Sequence, residues 1–179
     1  GNINSINRRN HSNPNIFFCV NVSARQLTDT RYLDMARDAI KRAGTAPELI
    51  RFEITESHVA PKGNAASWVS MARDYGFGAA LDDFGTGFSS LSQLLTLDVD
   101  TVKIDQSFVH TLGEKERSEQ MMRGMIALAH SMKLSVVAEG IETAAQESLL
   151  RRLGCGLGQG FFLGKPMPLD EILVKQSFE

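Results

Sequence analysis

Ala80-Leu81-Asp82-Asp83-Phe84-Gly85-Thr86-Gly87-Phe88-Ser89-Ser90-Leu91 carries a small apolar strand into two adjacent carboxylates and then directly into a glycine-flanked turn. Side chains on a strand alternate between its faces, so Asp82 and Asp83 cannot point the same way while a regular strand continues through them. The strand is therefore expected to end at Asp82, with both acids sharing its terminus. Gly85 and Gly87 permit positive φ and a sharp turn, so both carboxylates can converge on one site above the strand. An isolated Asp-Asp-x-Gly is more often a solvated turn with an Asx cap. The flanking chain argues otherwise.

Outward from this stretch, apolar runs of strand length alternate with segments of helical periodicity. Ile16 to Val22 reads as a strand covered on both faces. Leu49 to Thr55, Phe77 to Asp82, Thr101 to Ile104, Leu134 to Ala138 and Gly158 to Leu163 follow as strands two to six. Between them the spacing predicts helices over Thr30 to Gly44, Ala65 to Tyr75, Ser89 to Leu95, Glu116 to Met132 and Thr143 to Leu153, with a last short helix over Leu169 to Lys175. The helix from Glu116 shows a stripe of Met121, Met125, Leu128 and Met132, flanked by Met122, Ile126 and Ala129. Such a stripe can form an adaptable binding surface, but packing against a sheet is the preferred reading. Residues 1 to 15 hold six asparagines and almost nothing apolar, and read as a linker or loop.

Six strand-helix alternations imply a parallel sheet with helical crossovers, either an open doubly wound sheet or an eight-stranded barrel. No Gly-x-Gly-x-x-Gly follows a strand and no Walker-type loop exists, which removes support from the nucleotide-binding open sheets. At 179 residues and 42% hydrophobic content the chain suits one well-buried domain. A formal net charge of −2 argues against binding a nucleic-acid polymer. Two cysteines make no disulfide framework, and no apolar run reaches the roughly 20 residues of a membrane span, so a cytoplasmic setting is expected.

Each predicted strand ends in a residue that binds metals or handles protons: Asn21; Glu53 with Glu56; Asp82 with Asp83; Lys103 with Asp105; Glu139 with Glu142; and Gln159. Barrel active sites are assembled from residues at the carboxyl ends of several strands. If Glu53, Asp82, Asp83 and Glu139 converge, each like-charge pair about 4 Å apart costs roughly 4 kcal/mol at an effective dielectric of 20. Lys103 offsets only part of that. Oxygen ligands without thiolate or imidazole select hard ions such as Mg²⁺ or Mn²⁺, and adjacent carboxylates suggest two ions bridged by Asp82, the arrangement used for in-line attack on phosphodiesters. Metal-assisted proton abstraction beside a carboxylate ranks second.

In Val20-Asn21-Val22-Ser23-Ala24-Arg25-Gln26-Leu27, Phe52-Glu53-Ile54-Thr55-Glu56-Ser57, the Ala80 to Leu91 stretch, Val102-Lys103-Ile104-Asp105, Val137-Ala138-Glu139-Gly140-Ile141-Glu142-Thr143 and Gln159-Gly160-Phe161-Phe162 before Lys165-Pro166, the chain resembles the EAL-domain family of bacterial cyclic di-GMP phosphodiesterases. Asp83-Phe84-Gly85 also occurs in protein kinases, but no kinase Gly-rich or His-Arg-Asp loop accompanies it. The resemblance implies a TIM-type (β/α)₈ barrel and hydrolysis of cyclic di-GMP to pGpG with two Mg²⁺ or Mn²⁺ ions, Ca²⁺ being inhibitory. It implies that Asn21, Glu53 and Asp82 hold the first metal and that Asp82 and Asp83 serve the second. Lys103 would orient or help activate the attacking water, Glu139 would act on that water or on a metal-bound one, and Gln159 would lie close by. Glu56 would anchor the Asp83 to Ser90 loop. Glu142 could cap the helix starting near Thr143 or serve the site, and Asp105 is read as structural. A catalytically inactive receptor is the alternative, although such receptors usually lose site acids that this chain keeps.

The Glu-Ala-Leu tripeptide is absent, and with it a metal-ligand glutamate and a phosphate-contacting arginine. In the family these precede the strand matching Ile16 to Val22, in a segment with two further strands. The expectation is an N-terminally truncated barrel over 16–179, with about six β/α units. Exposed barrel edges would then favour a homodimer or other self-association, with sensor or cyclase domains elsewhere in the parent chain.

Overall fold

The computed structural model describes residues 17–55, 64–87, 90–168 and 171. The proposed linker over 1–15 and the short helix expected over Leu169 to Lys175 lie outside them, save for residue 171. The strands are β1 (Phe18–Asn21), β2 (Ile50–Thr55), β3 (Gly78–Phe84), β4 (Thr101–Ile104), β5 (Ser135–Ala138) and β6 (Leu157–Gly158). They form one sheet in the order β1-β2-β3-β4-β5-β6, and every neighbouring pair is parallel. The helices are α1 (Arg31–Ala43), α2 (Ala65–Asp74), α3 (Ser90–Thr96), α4 (Gln106–His110), α5 (Glu116–Ser131) and α6 (Ala144–Arg152). Consecutive parallel order with helical crossovers is the construction of a (β/α)₈ barrel, and among the described residues six strands form an open section of it.

Register aligns residues of like facing across the strands. Val20, Phe52 and Ala79 form one row across neighbouring strands, and Ile54, Leu81, Val102 and Val136 another. These belong to the apolar core under the helices, where Phe52, Ile54, Leu81 and Val102 are each at most 1% exposed. Behind β2, Phe52 meets Trp68 of α2 edge-on at 5.3 Å and Phe77 at 5.0 Å. The intervening positions Asn21, Glu53, Ala80 and Thr101 share the opposite face, and period-two alternation carries that face on to Asp82, Lys103 and Glu139. At the amino ends of the strands, Asp100 accepts Arg73 at 2.5 Å and lies 3.0 Å from Arg51 Nε, pinning the end of the sheet remote from those acids.

Several expectations change. β3 does not end at Asp82 but runs to Phe84, and it keeps both acids on one face through a bulge: Leu81 pairs with Val102 and Phe84 with Ile104, one residue more on β3 than on β4. β1 is half-buried instead of covered on both faces, because among the described residues it has only β2 beside it. The sixth strand stops at Gly158. Gly160 approaches the Ile141 backbone so closely that a Cβ there would lie 2.2 Å from its nitrogen and oxygen, and the chain turns away, leaving Phe161 62% exposed. The core-facing stripe of α5 is centred about one residue on: Met122, Ile126 and Ala129 are buried, Met125, Leu128 and Met132 pack against the core at its edge, and Met121 is 52% exposed. Cys19 and Cys155 are free thiols, and among the described residues no helix is long and apolar enough to cross a membrane.

The rotation of α5 has a measurable consequence. Met122→Ala is expected to lower unfolding free energy by roughly 2–5 kcal/mol, and Met121→Ala by less than about 0.5 kcal/mol, in urea titrations. Equal losses would place the stripe where the sequence pattern put it.

Candidate metal and catalytic site

Three carboxylates, from β2, β3 and the residue after β5, meet around a single ammonium. Lys103, on the acid-bearing face of β4, is 4% exposed. Its Nζ lies 2.7 Å from Glu139 Oε1, 3.0 Å from Asp82 Oδ1 and 3.1 Å from Glu53 Oε1. The contact to Glu53, whose side chain is 1% exposed, is an ion pair without good hydrogen-bond direction, since Glu53 Oε1 has no directed donor. Burial by itself would lower the Lys103 pKa, but Glu139, Asp82 and Glu53 together outweigh it and hold the amine protonated. Burial raises the Glu139 carboxyl to about 7 against the pull of Lys103, with the Asp82 charge adding to the rise.

Asp83 joins through its backbone. Its φ of 58° is left-handed, a conformation aspartate tolerates better than most residues. Its N–H donates to Asp82 Oδ1 at 3.1 Å, and Thr86 closes the turn by donating its N–H and hydroxyl to the Asp83 carbonyl at 3.2 and 2.9 Å. Carboxylate oxygens of Asp82, Asp83 and Glu139 then lie within 4.8 Å of one another. An all-oxygen set of this kind fits a hard divalent ion such as Mg²⁺ or Mn²⁺. Gln159 follows β6 one step beyond the Ala138–Gly158 pairing, beside Glu139, and its Oε1 is buried without a hydrogen-bond partner, an acceptor that suits a cation or a donating ligand.

The other predicted residues are placed as follows. Asn21 is register partner to Glu53 and exposed. Asp105 caps α4, accepting the Ser107 N–H at 3.0 Å. Glu142 does not cap α6: Thr143 does, in a capping box with Gln146, and the Glu142 carboxylate lies on the periphery 3.7 Å from His110 Nε2. Glu56 lies outside the described residues. Thr55 went unremarked in the sequence, yet it is register partner to Asp82; alternation from Glu53 implies that position.

A sequence model of the EAL domain matches residues 3–166. The chain is similar to the Pseudomonas aeruginosa bifunctional diguanylate cyclase/cyclic di-GMP phosphodiesterase MucR, with 39% identity over 166 residues, 92% of this chain and 24% of MucR. It thus spans about a quarter of that relative's length. The crystal structure of the EAL domain of Mycobacterium smegmatis DcpA superposes with a TM-score of 0.83 at 38% identity, covering 88% of this chain and 71% of that one. The MucR phosphodiesterase in complex with cyclic di-GMP superposes with a TM-score of 0.80 at 36% identity, covering 87% and 64%.

The raised Glu139 pKa fixes the sign of a pH effect. A carboxyl held at about 7 in the fold, against an ordinary 4.5, contributes stability that is present below about 4.5 and lost as pH rises through 7. In metal-free buffer, the unfolding free energy of Glu139→Gln minus that of the wild type is expected to grow between pH 5 and 8, by on the order of 1–3 kcal/mol. A flat difference would show that Glu139 ionises normally.

Proposed function

Because the chain belongs to the EAL-domain family, we propose that it is the phosphodiesterase domain of a larger signalling protein, hydrolysing one phosphodiester bond of cyclic di-GMP to give linear pGpG. The observation that carries this reading is the Lys103 ammonium lodged among Glu53, Asp82 and Glu139, with Asp83 alongside. Asn21, Glu53 and Asp82 would hold the first divalent ion and Asp82 with Asp83 would serve the second, with the Glu139 carboxylate beside them. Bound Mg²⁺ or Mn²⁺ would raise the acidity of the attacking water and neutralise the phosphate.

The roles of the chain's own groups follow from their protonation. Lys103, kept charged by its neighbours, is a donor: it orients the water and meets phosphate charge, and it does not take a proton. Glu139, whose carboxylate faces the Lys103 ammonium at 2.7 Å, is the group suited to accept the proton released as water attacks. Gln159, beside it, offers an acceptor for the same water. Asp105 and Glu142 have no part in the reaction on this reading. In the parent protein, cyclase or sensor domains would set when the site works, and the open strand edges favour a homodimer.

The test is incubation of the full-length protein with cyclic di-GMP and Mn²⁺, with pGpG followed by mass spectrometry. Product is expected from the wild type, and Asp82→Asn and Glu139→Gln are each expected to lower kcat/KM by about 100-fold or more. Tight nucleotide binding by calorimetry with no pGpG would replace the enzyme with a receptor.

A further inference from the structure

The acids that could hold a metal sit on two separate turns, the one after β3 and the one after β5, and a single short helix touches both. α4 starts three residues beyond Lys103 and is capped by Asp105. The Phe108 ring lies against Gly85, where φ is +99° and a Cβ would fall 2.8 Å from Phe108 Cε2. Gln106 lies against Gly140, where φ is +69° and a Cβ would fall 2.5 Å from Gln106 Cβ. Both glycines have a left-handed backbone, and a side chain at Gly140 would have to displace α4 itself, whereas one at Gly85 would have to displace the Phe108 ring and the end of Met125 from α5.

The helix is also tied by hydrogen bonds. Gln146 donates from Nε2 to the Val109 carbonyl of α4 at 3.4 Å, while its Oε1 accepts the N–H groups of Glu142 and Thr143 at 2.8 and 3.0 Å. One side chain thus joins α4 to the loop that carries Glu139. On the other flank the same loop is held by Gly160, which presses on the Ile141 backbone. The Glu139 loop is therefore wedged between α4 and the chain after β6, and the Asp83 turn rests on Phe108.

We infer that Phe108 and Gln146 are positioning residues: they lock α4 against both turns and so hold Asp82 and Asp83 at the spacing from Glu139 that a divalent ion requires. Neither touches a carboxylate. The inference rests on the reading of these acids as metal ligands, and it adds that their separation is set from outside the barrel by a five-residue helix. Supports of this kind typically change metal affinity by 10–100-fold when removed.

The test uses full-length protein with Mn²⁺ alone as the probe. Affinity is measured by calorimetry, and amide hydrogen exchange is followed without metal over residues 83–87 and 139–143. Phe108→Ala and Gln146→Ala are each expected to weaken Mn²⁺ binding about tenfold and to speed exchange in the turn that each supports, while Phe108→Leu keeps most of the affinity. If Phe108→Ala does not fold, Gln146→Ala and Phe108→Leu decide. Wild-type Mn²⁺ affinity in the folded variants, even with faster exchange, would reduce both residues to fold stability and overturn the inference alone. A wild-type protein that takes up no Mn²⁺ would overturn the metal reading itself, and this inference with it.

Discussion

Four carboxylates brought to one rim of a sheet repel one another, and among the described residues one cation, Lys103, is paired with them. Lys103 meets three of them within 3.1 Å while almost wholly buried. At such separations the Coulomb energies are several kcal/mol even in a screened protein interior, so the rim depends on this contact more than on any other polar one. Burial is the main cause of the raised Glu139 pKa, with the charge of Asp82 adding to it against the pull of Lys103. One ammonium faces more carboxylates than its single charge balances.

The parallel sheet makes that arrangement possible. Its period of two sends Phe52, Leu81 and Val102 into the helix-covered core and Glu53, Ala80 and Lys103 to the opposite face. Small residues such as Ala80 leave room above the face, and larger polar ones occupy the carboxyl ends. One regular feature had to be broken. The bulge at Asp82-Asp83 adds a residue to β3, so two consecutive acids reach the same side without the strand ending. Regular pairing resumes at Phe84.

Where reading from sequence falls short, each shortfall has a physical origin. Periodicity identifies a face of α5 to within about 100° but not its rotation, so Met121 and Met122 exchanged places. Gly158 to Leu163 has the composition of a strand; what stops it is the close approach of Gly160 to Ile141, a contact between residues whose proximity no local pattern encodes. The same holds for Glu142. A carboxylate next to a helix start resembles a cap, but Thr143 and Gln146 fill that role together, and Glu142 is left at the periphery.

The order of strands and helices, the parallel class of the sheet and the set of acids at strand ends were legible in the chain alone, because hydrophobic period and turn chemistry are local properties. The family was legible too, from six motifs in a fixed order. Tertiary structure alone decided which of those residues share one site. Glu53, Asp82, Asp83, Lys103 and Glu139 converge because register and a bulge set their heights and facing, whereas Asp105 and Glu142, of the same chemical type, are turned to other work by a helix cap and a surface loop. Distances between segments far apart in the chain arise from packing, and packing is a property of the whole fold.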